Sequence, residues 1–186
     1  MKEPRIAPLA APFEQPVADT FARYLPPGME ALHLFGTQAH NPRVLQRVFA
    51  GNLLDAGSID QRTRELVILR TCARCACEYE WGVHVALFAK AAGLTEADVA
   101  ATLVPAGSDA GLPEQEAWLL QAVDALHDTA TLPDDLWTAL SGMFSKAQIL
   151  EILALAGYYH TIAFTANATK VQLEAFAPRF PGSLAA

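Results

Sequence analysis

The strongest constraint on the fold is a periodicity that never becomes two. Along the 186 residues, apolar positions recur every three or four places, and turn signals separate the segments. This predicts an all-α fold. Pro26, Pro27 and Gly28 part a helix over Val17 to Leu25 from one over Met29 to His40. Asn41 and Pro42 read as an N-cap and first-turn proline opening a helix to about Asp55. Ser58-Ile59-Asp60-Gln61 has the form of a capping box for a helix reaching about Arg74. A further helix, from about Cys77 to Ala92, is stopped by Gly93, and a shorter one begins at Thr95 with Asp98 in the box position. Beyond a loop from Ala106 to Pro113, helices are predicted over Glu114 to His127 and Asp134 to Met143. The box Ser145-Lys146-Ala147-Gln148 then opens a long apolar helix toward Asn167.

With 52% hydrophobic and 18% charged residues the chain can bury a sizeable core, and its length suits one domain over residues 1–186. Residues 1–16 are expected as an extended, proline-rich arm, and the tail through Pro178, Pro181 and Gly182 as frayed or packed over a neighbour. The formal charge of -7 repels phosphate backbones and anionic lipid, so nucleic acid is excluded as a partner. No membrane span is expected, because the longest apolar stretch, Ile149 to Ala166, is broken by Glu151 and His160. The N-terminus lacks the apolar region of a signal peptide, and a cytoplasmic protein is expected.

Chemistry is first signalled by Cys72, Cys75 and Cys77, an odd number within six positions that suits reactive or metal-binding thiols better than a disulfide framework. At about 100° per residue, Cys77, Glu80 and His84 share a sector of roughly 60° with Trp81 and Phe88. On the preceding helix Glu65 shares a stripe with Ile68, Leu69, Cys72 and Ala76, while Arg62, Arg64, Arg70 and Arg74 lie largely on other faces. Buried ionisable groups need partners. An antiparallel helix pair would bring Glu65 and His84 toward Cys77, and a helix N-terminus beside an imidazole would make that thiol substantially thiolate. The plainer alternative is a pair of buried residues, with His84 satisfied by Glu80 one turn before.

The runs Arg64-Glu65-Leu66-Val67-Ile68-Leu69-Arg70, Cys77-Glu78-Tyr79-Glu80-Trp81-Gly82-Val83-His84 and Ala92-Gly93-Leu94-Thr95 resemble the core of the carboxymuconolactone decarboxylase and alkyl hydroperoxidase D-like family. The likeness is strongest over residues 58–102. Leu25-Pro26-Pro27-Gly28 and Tyr158-Tyr159-His160 extend it over most of the chain. It implies an all-α, AhpD-like helical bundle assembled as a homo-oligomer (dimer, trimer or hexamer). It also implies a peroxiredoxin-like activity, with Cys77 as nucleophile, His84 as proton relay and Glu65 as the carboxylate that orients it. Glu80 stands where that pattern has a second cysteine and Tyr79 where it has a further histidine, so Cys77 lacks a local disulfide partner. Glu80 is then an alternative partner for His84, Cys75 the better candidate resolving thiol, and an external thiol the reductant.

A second enzyme reading is decarboxylation of a lactone, in which Glu65, Glu80 and His84 handle protons and Cys77 only lines the pocket. No inward Arg for a carboxylated substrate is apparent in the sequence. A Cys72, Cys75, Cys77 and His84 zinc site is disfavoured by intervening Ala, Arg and Glu in helical context, and an inert helical oligomer is the blandest alternative. Tyr79, Trp81 and His160 are candidate pocket residues, although Trp81 and His160 equally suit the core. His33, His40 and His127 read as structural residues near helix ends. No metal ligands are assigned, and neither flavin nor haem is suggested.

Overall fold

The computed structural model describes residues 3–105 and 111–181, and within them the regular structure is helical throughout. The helices are α1 (Gln15–Tyr24), α2 (His33–Gln38), α3 (Pro42–Ala50), α4 (Gln61–Arg74), α5 (Glu78–Leu87), α6 (Glu96–Ala101), α7 (Glu114–Thr129), α8 (Asp134–Met143) and α9 (Lys146–Thr169). Most of the loop expected from Ala106 to Pro113, and Gly182 in the tail, lie outside the described residues.

The architecture is organised around α4. Every residue from Arg64 to Cys72 is buried, and a helix enclosed on all sides must be central. It packs against α5, α7 and α9. Its arginines fix the register with α7: Arg62 pairs with Glu116, Arg70 with Asp124 and Arg74 with Asp128, each 54 positions on, so the two helices run parallel. Arg70 is 2% exposed and also donates to the carbonyl of Thr102 at 2.9 Å, which satisfies a guanidinium that burial would otherwise penalise. α9 is parallel to α4 as well, since Ser58 meets Glu151 and Cys75 meets Asn167 at nearly the same offset. α5 returns antiparallel through Cys75, Ala76 and Cys77, a reversal made at Ala76 with φ 49°. A smaller core of Val17, Phe21, Ala39, Leu45 and Phe49 joins α1, α2 and α3.

Several helix starts follow the sequence reading, others not. The boxes at Thr95 and Ser145 both form. The cap of α4 is Asp60 instead of Ser58. The Asp60 carboxylate accepts from the Thr63 amide at 2.7 Å, while the Ser58 amide and hydroxyl are taken by Glu151. The helix after Asn41 stops at Ala50 rather than near Asp55, and α5 stops at Leu87 rather than Ala92. α9 is long and apolar enough to cross a membrane by length and composition. Its inward residues, from Ile149 through Leu155 and Tyr159 to Ala166, are nevertheless part of the main core.

The described parts of the arm and of the tail are both tied down. The arm lies over α2, where the Leu9 amide donates to the Gly36 carbonyl at 3.0 Å, and Arg5 reaches the end of α9. The tail crosses α5: Tyr79 donates its hydroxyl to Glu174 at 2.7 Å, Phe180 donates its amide to Glu78 at 2.8 Å, and Trp81 packs on Phe180. Gly82 makes this crossing close, since a Cβ there would overlap the Pro178 carbonyl. Gly82→Ala is expected to lift the strap and cost about 1–3 kcal/mol, the usual range for overpacking. Faster proteolysis at Arg179 and a lower urea midpoint would show it; unchanged values would mean that the strap is not seated by this contact.

Candidate active site

The buried end of α5 faces α4 and α9, and the side chains that meet there are Glu65, His84, Tyr159 and Glu80. Glu65 accepts from His84 Nδ1 at 2.7 Å, with exposures of 0% and 2%. His84 Nε2 lies 3.0 Å from the Tyr159 hydroxyl and 3.4 Å from Glu80 Oε1. The Glu65 bond fixes the imidazole tautomer, so the proton that can be exchanged is the one at Nε2, shared with Tyr159 and Glu80. Burial by itself lowers the His84 pKa, but hydrogen bonds and charge from Glu65 and Glu80 outweigh it and lift it from 6.5 to about 9. Arg64 closes the set. Its Nε donates to Glu65 Oε1 at 3.1 Å and its Nη1 to the Leu54 carbonyl at 2.8 Å. Two carboxylates are thus balanced by a guanidinium and an imidazolium. Of Glu65, His84, Tyr159 and Glu80, the last keeps the most contact with solvent, at 8% exposed.

Cys77 sits beside this chain of groups without joining it. It is the N-cap of α5, is fully buried, and makes no side-chain cap hydrogen bond. Burial pushes its thiol up to about 12, only partly opposed by the nearby Glu80 backbone amide, and the Glu80 carboxylate raises it further. The expected thiolate is therefore not favoured in the resting protein: desolvation outweighs the helix N-terminus. Among the described residues no hydrogen bond joins Cys77 to His84. Cys72 is deeper still, and burial pushes its thiol well above the ordinary value.

The remaining candidates are placed elsewhere. Tyr79 receives the Leu34 amide at 3.0 Å and holds Glu174, which makes it a clasp between α2, α5 and the tail. Trp81 donates to the Thr102 hydroxyl at 3.1 Å. His160 points away from His84 and meets His127 and Cys75. The zinc set of Cys72, Cys75, Cys77 and His84 does not assemble; among the described residues the ligand atoms that converge are those of Cys75, His127 and His160. Tyr159 and Arg64 were missed by the sequence reading. The inward phase of Ile152, Leu155, Tyr159 and Ile162 on α9 is a signal that could have found the first. An open groove of about 410 Å³ lies apart from the relay, between α1 and α3, and is lined by Arg23, Arg43 and Arg47.

A central helix bearing an inward glutamate, an antiparallel helix bearing the histidine it orients, and a third helix supplying a tyrosine define an all-helical fold with a buried hydrogen-bonded chain of titratable groups. Residues 42–125 match the carboxymuconolactone decarboxylase family, and the all-helical fold is that of AhpD-like structures. Among solved structures, it is similar to the alkylhydroperoxidase AhpD core of an uncharacterized peroxidase-related protein from Ralstonia eutropha, with a TM-score of 0.77, 17% identity and 94% and 95% of the two chains covered. A protein of unknown function from Agrobacterium tumefaciens, for which an AhpD antioxidant-defence role has been suggested, is 25% identical, with a TM-score of 0.64 over 74% of this chain and 95% of that one. The debrominase Bmp8, in complex with 2,3,4-tribromopyrrole, is 20% identical, with a TM-score of 0.69 over 91% of each chain. No relative among curated proteins matches the sequence.

Proposed function

We propose that the protein is an acid–base enzyme that exchanges a proton with carbon in a small organic substrate, of the lactone decarboxylase type. The observation that carries this reading is the engagement of both His84 nitrogens, Nδ1 by Glu65 and Nε2 by Tyr159 and Glu80, with no thiol in the chain of contacts. Such a relay holds one proton on His84 and exchanges it through Glu80, the member nearest solvent. In the proposed step the bond between ring and carboxylate carbon breaks and carbon dioxide leaves. The electron pair moves into the unsaturated ring, and a ring carbon takes the proton from the relay, which solvent restores. No oxidant or reductant is consumed. The guanidinium of Arg64 and the imidazolium of His84 are the buried positive groups suited to a carboxylated substrate.

A second reading, a cysteine peroxidase with Cys77 as nucleophile and an external thiol as reductant, draws on the Glu80 amide that faces the sulfur, and on relatives described as peroxidase-related. One experiment separates the two. The protein is incubated with carboxymuconolactone in deuterated water, and in parallel with an organic peroxide and a sulfenic-acid trap. Carbon dioxide release with one deuterium in the product, undiminished in Cys77→Ser, is the expected result. No carbon dioxide, but a trapped adduct on Cys77, would overturn the acid–base reading in favour of the peroxidase.

A further inference from the structure

We propose that Cys75, His127 and His160 form a zinc-type metal site, separate from the relay. The three residues come from different helices that the parallel packing of α4, α7 and α9 brings to one level. Cys75 is the C-cap of α4, His127 lies in the last turn of α7, and His160 is two-thirds along α9. Their ligand atoms all lie within 4.8 Å of one another, and all three side chains are partly exposed, so an ion can reach them.

The spacing suits the metal. His127 Nδ1 and His160 Nε2 are 2.9 Å apart, and Cys75 Sγ is 3.8 Å from His127 Nδ1. Tetrahedral zinc, with bonds of ~2.0 Å to nitrogen and ~2.3 Å to sulfur, needs separations of ~3.3 Å between nitrogens and ~3.5 Å between nitrogen and sulfur. Shifts of a few tenths of an ångström bring these two separations to those values, and the third, from Cys75 Sγ to His160 Nε2, lies within 4.8 Å. The surroundings are prepared in the same sense. His160 Nδ1 donates to the Ala156 carbonyl at 2.8 Å, which leaves the Nε2 lone pair facing His127, the outer hydrogen bond that orients metal-binding histidines. The Asn167 amide donates to the Cys75 carbonyl at 2.8 Å and fixes the end of α4.

Without metal, the His127 Nδ1 proton bridges to His160. On binding it moves to Nε2, the Cys75 thiol proton goes to solvent, and the metal takes one sulfur and two nitrogens. One thiolate with two imidazoles selects zinc and its late first-row neighbours over magnesium or calcium, and three protein ligands leave a fourth position for water or an external ligand.

The test uses the full chain, reduced and treated with chelator, titrated with cobalt(II) alone and then displaced by zinc. One equivalent is expected, with thiolate-to-cobalt charge transfer in the near ultraviolet and tetrahedral bands in the visible, both lost on zinc addition. The spectrum should be lost in Cys75→Ser and in His127→Gln, the latter near a partly exposed helix end where folding is not at stake. It should persist in Cys77→Ser. Absence of stoichiometric binding by the wild type, survival of the charge-transfer band in Cys75→Ser, or its loss in Cys77→Ser would each overturn the assignment.

Discussion

Glu65→Ala is expected to destabilise the protein by about 3–5 kcal/mol, because it removes one partner from a buried ionic cluster and leaves the others desolvated. Glu65 is 0% exposed and accepts from both Arg64 and His84, so no water takes its place. The loss should carry a pH signature. The His84 pKa is raised on folding from 6.5 to about 9, so its contribution to stability is fully present below about 6.5 and disappears as pH rises through about 9. Between about pH 7 and about pH 8.5, wild-type stability should fall with a slope approaching ~1.4 kcal/mol per pH unit, the value for one proton. Of the neighbouring titrations, His127 lies below this window and the thiols add a further fall only at its upper end. Burial and Arg74 lower the His127 pKa, and the thiols, normally at 9.0, are raised by burial. Without Glu65 only Glu80 opposes the burial of His84, and most of that slope should vanish. Glu65→Gln keeps the volume and an acceptor, so it should recover part of the stability but not the slope. Urea unfolding across this range is the measurement. A wild type whose stability is flat or rising there would show that His84 is not held protonated.

The inward pair of Glu65 and His84 was legible because both lie within regular helix, where a phase of 100° per residue places a side chain without knowledge of its neighbours. Cys77 was harder to place for the complementary reason. It is an N-cap with φ -92° and ψ 79°, outside the helical region, where the phase of the helical wheel no longer applies. The arginines of α4 show a different limit. On a helix buried all round, no polar face distinguishes inward from outward, and the partners of Arg62, Arg70 and Arg74 become visible only with the parallel register of α7. Arg64 turned inward for the same reason, supplying the positive group that the sequence did not reveal. The inward phase of Tyr159 is readable on α9, but its meeting with His84, like the cluster of Cys75, His127 and His160, depends on the height at which α9 crosses α4, a tertiary quantity that no local pattern encodes. Ser58 lost its cap to Asp60 because a distant carboxylate, Glu151, claimed both its amide and its hydroxyl.

Glu80→Gln should reduce lactone decarboxylation by about 10²–10⁴-fold in kcat/KM, the range for removing a positioned acid or base. The amide retains the shape of the side chain but cannot carry the proton between His84 and substrate. Glu80→Asp should fall between the two, since it keeps the proton and withdraws it by one methylene. The pH profile distinguishes proton transfer from mere packing. Wild-type kcat/KM should decline on the alkaline side as the His84 imidazolium, held at about 9 by Glu65 and Glu80 together, loses its proton. With Glu80 neutral, one of these two supports is gone and burial gains ground, so the alkaline limb of the residual activity should move toward lower pH. A packing defect alone would lower the rate without moving the limb. Cys77→Ser, run beside it, should retain both the rate and the position of the limb, since among the described residues no hydrogen bond joins its sulfur to His84, Glu65 or Tyr159. The opposite pattern, full activity in Glu80→Gln and a collapse in Cys77→Ser, would transfer the chemistry to the thiol and make Glu80 a structural neighbour of the reacting sulfur.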